Sequence, residues 1–186
     1  MTRQGAITTV LLDGPAALRA ADAFGLVYAE AFAEPPYGET ENQAAAAQGQ
    51  FPALTRRPAF RAALARTARG EPVGMAYGWP LPPEAVWWDE LTEQPVPAAL
   101  RREDGRRTFG LIELAVRGPW RGQGVARGLH TALLDGITTE RVLLNVHPEA
   151  GAAAAAYRSW GYRKIGEARP RGADADLHDV MLLGLR

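Results

Sequence analysis

A chain of 186 residues is long enough to bury one sizeable core and sits in the size range of a single domain spanning 1–186. Its 21 basic residues are matched by 21 acidic ones and no basic cluster interleaved with aromatics occurs, so nucleic acid is not an expected partner. The absence of cysteine excludes disulfides, thiolate metal sites and a cysteine nucleophile, and three scattered histidines, His130, His147 and His178, give no reason to expect a metal.

The segment Met1 to Ala6 lacks the apolar stretch of a leader peptide, and no later run approaches the ~20 apolar residues of a membrane span. A cytoplasmic protein without membrane contact is expected. Ile7 to Leu12 is a short β-branched run, closed by Asp13-Gly14-Pro15; Asp13 or Gly14 can cap a helix whose first turn takes Pro15. Leu18, Ala21, Gly25, Tyr28 and Phe32 fall on one helical stripe that should face the core, and Pro35-Pro36 ends it. Thr40 with Gln43 has the spacing of a capping box and opens a second helix through the alanine run, burying Phe51 and Leu54.

Phe60 to Thr67 alternates and reads as a strand, turned by Arg69-Gly70-Glu71-Pro72 into a second strand, Val73 to Trp79. Prolines 80, 82, 83, 95 and 97 then make residues 81–107 a long proline-rich loop with room for one short helix. Phe109 to Val116 is a strand, Gly122 to Ile137 a helix, Arg141 to Val146 a strand, Glu149 to Trp160 a helix and Leu177 to Leu185 a last strand. Alternating strand and helix implies parallel pairing of the two strands that flank Gly122 to Ile137.

The chemistry concentrates in Val116-Arg-Gly-Pro-Trp-Arg-Gly-Gln-Gly-Val-Ala-Arg127, a strand end, a glycine-rich turn and a helix start. The first turn of a helix leaves about four amide N–H groups without partners and carries about half a positive charge, which together suit a phosphate. Gly122 and Gly124 let backbone come close, and Arg121 and Arg127 add guanidinium donors. The turn lacks the Gly-Lys-Ser/Thr of a nucleotide-hydrolase loop, and Arg127 stands where a dinucleotide fingerprint needs its third glycine.

The spacing Arg-x-x-Gly-x-Ala, met by Arg121, Gly124 and Ala126, resembles that of the GNAT acyltransferase superfamily, and the order of elements looks like that fold over nearly the whole chain. The resemblance implies an α/β fold with a central mixed sheet flanked by helices on both faces, acetyl-CoA or another acyl-CoA as co-substrate, and an amine of a small molecule or peptide as acceptor. It implies that the amides of Arg121, Gly122, Gln123, Gly124, Val125, Ala126 and Arg127 hold the pyrophosphate, and that pantetheine lies against the backbone near Leu114 and Val116. Tyr157-Arg-Ser-Trp-Gly-Tyr162 looks like the family's tyrosine and glycine-aromatic pair, which makes Tyr157 the expected proton donor to the leaving thiolate. Ala150 replaces the asparagine that many relatives carry seven residues earlier.

Glu113 lies mid-strand, where a charge is costly unless it is solvated or paired; it is the candidate base, acting directly or through water. The resemblance places Glu34, Tyr37, Trp79, Trp87 and Trp88 toward the acceptor, where aromatic faces and carboxylates suit a cationic amine. The expected protein is an acetyl-CoA-dependent N-acetyltransferase working by direct attack, as monomer or homodimer. The other reading, from a different class, is a sensor or interaction module that binds acyl-CoA without turning it over.

Overall fold

The computed structural model describes residues 6–91, 96–169 and 176–185; Met1 to Gly5, part of the segment read above for a leader, and Pro95 of the expected loop lie outside them. Strand β1 (Ile7–Leu12) ends at Asp13, whose carboxylate accepts the Ala16 N–H at 2.9 Å and, with Pro15 in the first turn, opens α1 (Gly14–Arg19). The expected single helix is in fact two. It breaks at Ala20 (φ −99°, ψ 15°) and restarts as α2 (Ala21–Phe32), and at its start α1 lies so close to Thr55 that a Cβ at Gly14 would overlap the Thr55 carbonyl oxygen. The break shifts the phase of the apolar stripe. Phe24, Val27 and Ala31 form the buried face of α2, and Leu18, expected in the core, is 38% exposed.

Helix α3 (Glu41–Leu54) begins with the reciprocal capping box of Thr40 and Gln43, as the spacing requires, and continues through Pro52. Strands β2 (Arg61–Thr67) and β3 (Pro72–Pro80) form an antiparallel hairpin, with Ala62 opposite Tyr77 and Leu64 opposite Met75 and a register shift at Ala65/Arg66; β1 pairs antiparallel with the other edge of β2. After β3 come a 3-10 turn (Trp87–Glu90) and the short α4 (Ala98–Arg101), so residues 81–107 are a loop carrying two brief helical turns.

The rest alternates: β4 (Thr108–Val116), α5 (Val125–Leu134), β5 (Arg141–Val146), α6 (Gly151–Ser159), β6 (Arg163–Ala168) and β7 (His178–Gly184). β4 and β5 run parallel, with Phe109 opposite Val142, as expected for strands flanking a crossover helix. β7 lies antiparallel between β5 and β6. Strand β6 was not foreseen, because Arg163-Lys-Ile-Gly-Glu-Ala168 has no apolar alternation; it is an edge strand whose Lys164 pairs with Glu167 and Asp179. The seven strands form one mixed sheet in the order β1-β2-β3-β4-β5-β7-β6.

The chain groups into two compact units, Met1–Trp79 with Ile112–Ile137, and Pro80–Leu111 with Thr138–Arg186, so β4 contributes to both. The core of the first holds Phe24, Val27, Phe51, Phe60, Leu64, Met75 and Tyr77. The second is built on Leu81, Trp88, Leu143, Ala168, Val180 and Leu182.

Candidate active site

In the first unit, β4 runs out at Val116 into a 3-10 turn (Gly118–Trp120) and then into two left-handed residues, Gly122 (φ 71°) and Gly124 (φ 80°), the second capping α5. A side chain at φ > 0 is strained, and here no side chain crowds either glycine: a Cβ built at either meets nothing within 4 Å. The backbone therefore faces open space. No side chain caps α5, and its first helical bond is Gly128 N–H to Gly124 C=O at 3.0 Å, so the amides of Gly124, Val125 and Ala126 have no partner within the helix.

The turn is held from both sides. Val125, Leu129 and Leu133 are buried, and Gly74 of β3 admits them closely, since a Cβ there would lie 2.9 Å from Leu129 and 3.0 Å from Val125. The Gln123 amide nitrogen donates to the Pro119 carbonyl at 3.0 Å. Arg121 turns back: its Nε donates to Val116 C=O at 2.9 Å, and its Nη atoms reach Glu34 Oε2 and, at 3.4 Å, Ala31 C=O. Arg117 beside it donates to Glu30, Glu71 and the Pro72 carbonyl, at 2.7 to 3.1 Å. Two arginines thus fasten the turn to the C-terminal half of α2, and Glu34 serves as the counterion of Arg121. The turn's other donors are its backbone amides, flanked by the exposed Arg127.

On β4 the pleat leaves Glu113 and Leu114 half-buried and Val116 buried. Glu113 makes no hydrogen bond and no ion pair among the described residues. Burial first, and the charge of Glu39 second, push its carboxyl from the ordinary 4.5 up to about 8. Glu39 follows α2. Its Oε1 accepts the Tyr28 hydroxyl at 3.0 Å, while its Oε2 is shut off from solvent without a hydrogen-bond partner. Tyr28 and Tyr77 are both raised well above the usual phenol value, chiefly by burial and next by the charge of Glu113. Neither Glu39 nor Tyr28 was picked out as a site residue in the sequence; a lone acid ahead of a capping box carries no motif.

Of the acceptor candidates in this unit, Tyr37 is exposed and meets Phe32 edge-on at 4.8 Å, whereas Trp79 is a core residue with the Arg57 guanidinium 4.7 Å over its ring. In the second unit, Trp87 Nε1 donates to Asn145 Oδ1 at 2.9 Å. Trp88 is only 4% exposed and donates to Glu103 Oε1 at 2.8 Å, so it is packing for the 81–107 loop. Asp89 pairs with Arg101. Tyr157 is buried on α6, edge-on to Trp160 and to Tyr162, each at 5.5 Å; its carbonyl accepts the Tyr162 N–H as Gly161 (φ 98°) turns the chain out of the helix. Among the described residues there is no His, Asp and Glu cluster that could hold a metal, and no helix long and apolar enough to cross a membrane.

Comparison with known folds agrees with this architecture. A Corynebacterium glutamicum structure described as histone acetyltransferase HPA2 and related acetyltransferase superposes with a TM-score of 0.64 at 21% identity, over 94% of this chain and 95% of that one. The ribosomal-protein-S18-alanine N-acetyltransferase of Escherichia coli gives 0.61 at 17% identity, covering 97% and 94%. The PaiA N-acetyltransferase of Thermoplasma acidophilum, solved in complex with coenzyme A, gives 0.61 at 11% identity, covering 96% and 99%. No curated protein matches the sequence closely enough to count as a relative. The family model described as Acetyltransferase (GNAT) family matches residues 26–162, which include the glycine turn, Glu113 and Tyr157, and the chain belongs to that family.

Proposed function

We propose that this protein is an acetyl-CoA-dependent N-acetyltransferase whose acceptor is an amine of a small molecule or peptide. The observation that carries the proposal is the pair of left-handed glycines opening α5, which leaves the first-turn amides uncapped by any side chain beside open space at a positive helix end. In this reading the pyrophosphate rests on the amides from Gly122 to Arg127, the Arg121 N–H being taken by Gly118 C=O at 3.2 Å, and the amide-rich arm runs along the backbone near Leu114 and Val116. The Arg121 side chain acts as a brace for the turn more than as a phosphate ligand, since its donors are engaged with Val116, Glu34 and Ala31.

The reaction is a direct transfer. Glu113 takes a proton from the ammonium, directly or through water; the freed nitrogen attacks the thioester carbonyl, a C–N bond forms, the C–S bond breaks, the thiolate collects a proton from Tyr157, and the second proton that the nitrogen sheds on becoming an amide passes through water to restore the Tyr157 hydroxyl. A carboxyl held near 8 is suited to the first step, because a base works best when its own affinity for the proton is close to the working pH. No covalent intermediate on the protein is needed. Of the predicted acceptor residues, Tyr37 and Trp87 keep exposed or half-exposed rings and are the ones proposed to meet the amine.

The test is a thermal-shift comparison of acetyl-CoA, NAD and ATP, followed by thiol release with a panel of primary amines. A ligand at about 100 times its Kd stabilises by about 2.7 kcal/mol, so acetyl-CoA alone is expected to raise the melting temperature by several degrees. No shift at millimolar acetyl-CoA refutes the reading. A shift without thiol release for any amine refutes catalysis and leaves a binding module.

A further inference from the structure

Glu34, just past the C-cap Ala33 of α2, is attached to two parts of the first unit at once. Its side chain belongs to the turn that leads into α5. Oε2 accepts from Arg121 Nη1, and Oε1 lies over the 3-10 turn so closely that a Cβ built on Gly118 would be 2.6 Å from it. Arg121 passes the contact on to the turn's backbone: its Nε donates to Val116 C=O at 2.9 Å, and its N–H to Gly118 C=O at 3.2 Å. The main chain of Glu34 belongs to the loop that follows α2. Its carbonyl accepts the N–H of Tyr37 and of Gly38, each at 3.2 Å, and Tyr37 sets its ring edge-on to Phe32 at 4.8 Å. A half-exposed ion pair alone contributes little, because solvent screens it and two long side chains must be held still. Here the carboxylate is also seated on the Gly118 backbone, so a movement of the turn is transmitted to the loop through one residue. Gly118 has no left-handed φ; what a side chain there would disturb is the carboxylate's seat and not the shape of the chain.

We propose that Glu34 is a positioning residue that links the coenzyme-binding turn to the acceptor loop, its side chain fixing Arg121 and Gly118 and its carbonyl fixing Tyr37. This rests on the reading of the turn as the pyrophosphate site and of Tyr37 as an acceptor contact. A carboxylate that acted only by its charge would have the opposite effect on coenzyme binding: it repels an anion held nearby, so its removal would tighten the complex. A carboxylate that shapes the site preorganises it, so its removal loosens the turn and weakens the complex although a negative charge has gone. The sign of the change therefore tells the two roles apart. The link also runs outward, since a turn immobilised by its ligand steadies Arg121, then Glu34, and then the amides of Tyr37 and Gly38 that Glu34 C=O holds.

The experiment needs no acceptor. Coenzyme A binding is measured by calorimetry on the parent, Glu34→Ala, Glu34→Gln and Gly118→Ala, and amide hydrogen exchange at Tyr37 and Gly38 is followed with and without coenzyme A. Glu34→Ala is expected to weaken binding by about 10-fold. Gly118→Ala, whose methyl evicts the carboxylate without altering Glu34, should weaken it to a similar extent. Glu34→Gln can still accept from Arg121 and should stay within ~3-fold of the parent. Coenzyme A should slow exchange at Tyr37 and Gly38 in the parent and not in Glu34→Ala, where the carbonyl survives and only the connection to the turn is lost. Glu34→Ala binding coenzyme A as tightly as the parent, or more tightly, overturns the proposal, as does equal slowing of exchange in the two proteins. Gly118→Ala supplies the same comparison if Glu34→Ala folds poorly. A parent that binds no coenzyme A removes the underlying reading and the proposal with it, whereas a binding parent with unchanged variants removes the proposal alone.

Discussion

Two buried carboxyls in this protein have opposite surroundings. Glu103, in the second unit, has a side chain 1% exposed and is held at one oxygen: its Oε1 accepts from Trp88 at 2.8 Å, Thr108 at 2.7 Å and Arg141 at 3.0 Å, while its Oε2 is buried without a hydrogen-bond partner, and Arg141, 5% exposed, stacks over the Trp88 ring and donates to Leu100 C=O. Glu113, in the first unit, has no cation and no hydrogen bond, and its nearest charged influence is another carboxylate. A buried acid beside its counterion is useful for holding strands and loops in place. A buried acid without one is poised to exchange a proton, which makes it useful for chemistry and a burden on folding.

The contrast breaks most visibly at Glu103. Glu103→Leu strands the Arg141 charge and is expected to lower the unfolding free energy by about 3–5 kcal/mol in a urea titration, while the double replacement Glu103→Leu, Arg141→Met recovers most of it. If the single change costs under ~1 kcal/mol, the hub is not the anchor of the 81–107 loop.

Tyr157→Phe asks whether the second unit is scaffold alone. Loss of one hydroxyl from a packed ring should leave coenzyme A affinity unchanged and slow acetyl transfer by roughly 10- to 1000-fold, the scale of one positioned proton donor. Single-turnover thiol release against calorimetric binding separates the two.

At Glu113 the expected effect on stability is smaller and has the reverse sign. Its folded-state value is raised, so the folded protein holds the proton more tightly than the unfolded chain, and stability falls as pH climbs from about 4.5 to about 8. Glu113→Gln removes that loss. The variant should match the parent near pH 4 and exceed it at pH 9 by about 1–3 kcal/mol, since relaxation and water access offset part of the burial cost. A parent that gains stability across this window would show that Glu113 has a cation partner after all. The mildest change is Gly124→Ala, which puts a methyl into the open space at φ 80° and should weaken coenzyme A binding by about 10-fold with about 1 kcal/mol of strain, both measurable by calorimetry.

What was legible in the sequence was whatever physics writes locally. The capping box at Thr40 and Gln43, the hairpin turned at Gly70 and the glycine turn before Val125 are each determined by a few neighbouring residues, and each occurs where their spacing puts it. Glu113 was legible too, as a charge inside an apolar strand. Three features were not. The break at Ala20 has no proline or glycine to announce it, and the close seat of Gly14 on Thr55 joins residues 41 apart in the chain. β6 is an edge strand with polar faces, so it has no alternation to detect. The pairing of Glu39 with Tyr28 and its influence on Glu113 join a loop, a helix and a strand that only the fold brings together.

The turn at Gly122 and Gly124 has a consequence for how such a protein drifts over generations. If the proposed function holds, its recognition surface is made of amides, which every residue but proline possesses, so the identities at Gln123 and Ala126 are expected to be nearly silent for anion binding while the two left-handed positions are not. In a saturation library scored by coenzyme A capture, positions 122 and 124 should collapse to glycine with a few asparagines, position 123 should accept most residues that still close on Pro119, and position 126 should accept small ones. A binding site written in backbone is inherited through the residues that permit its shape, and its chemistry can stay constant while most of its letters change.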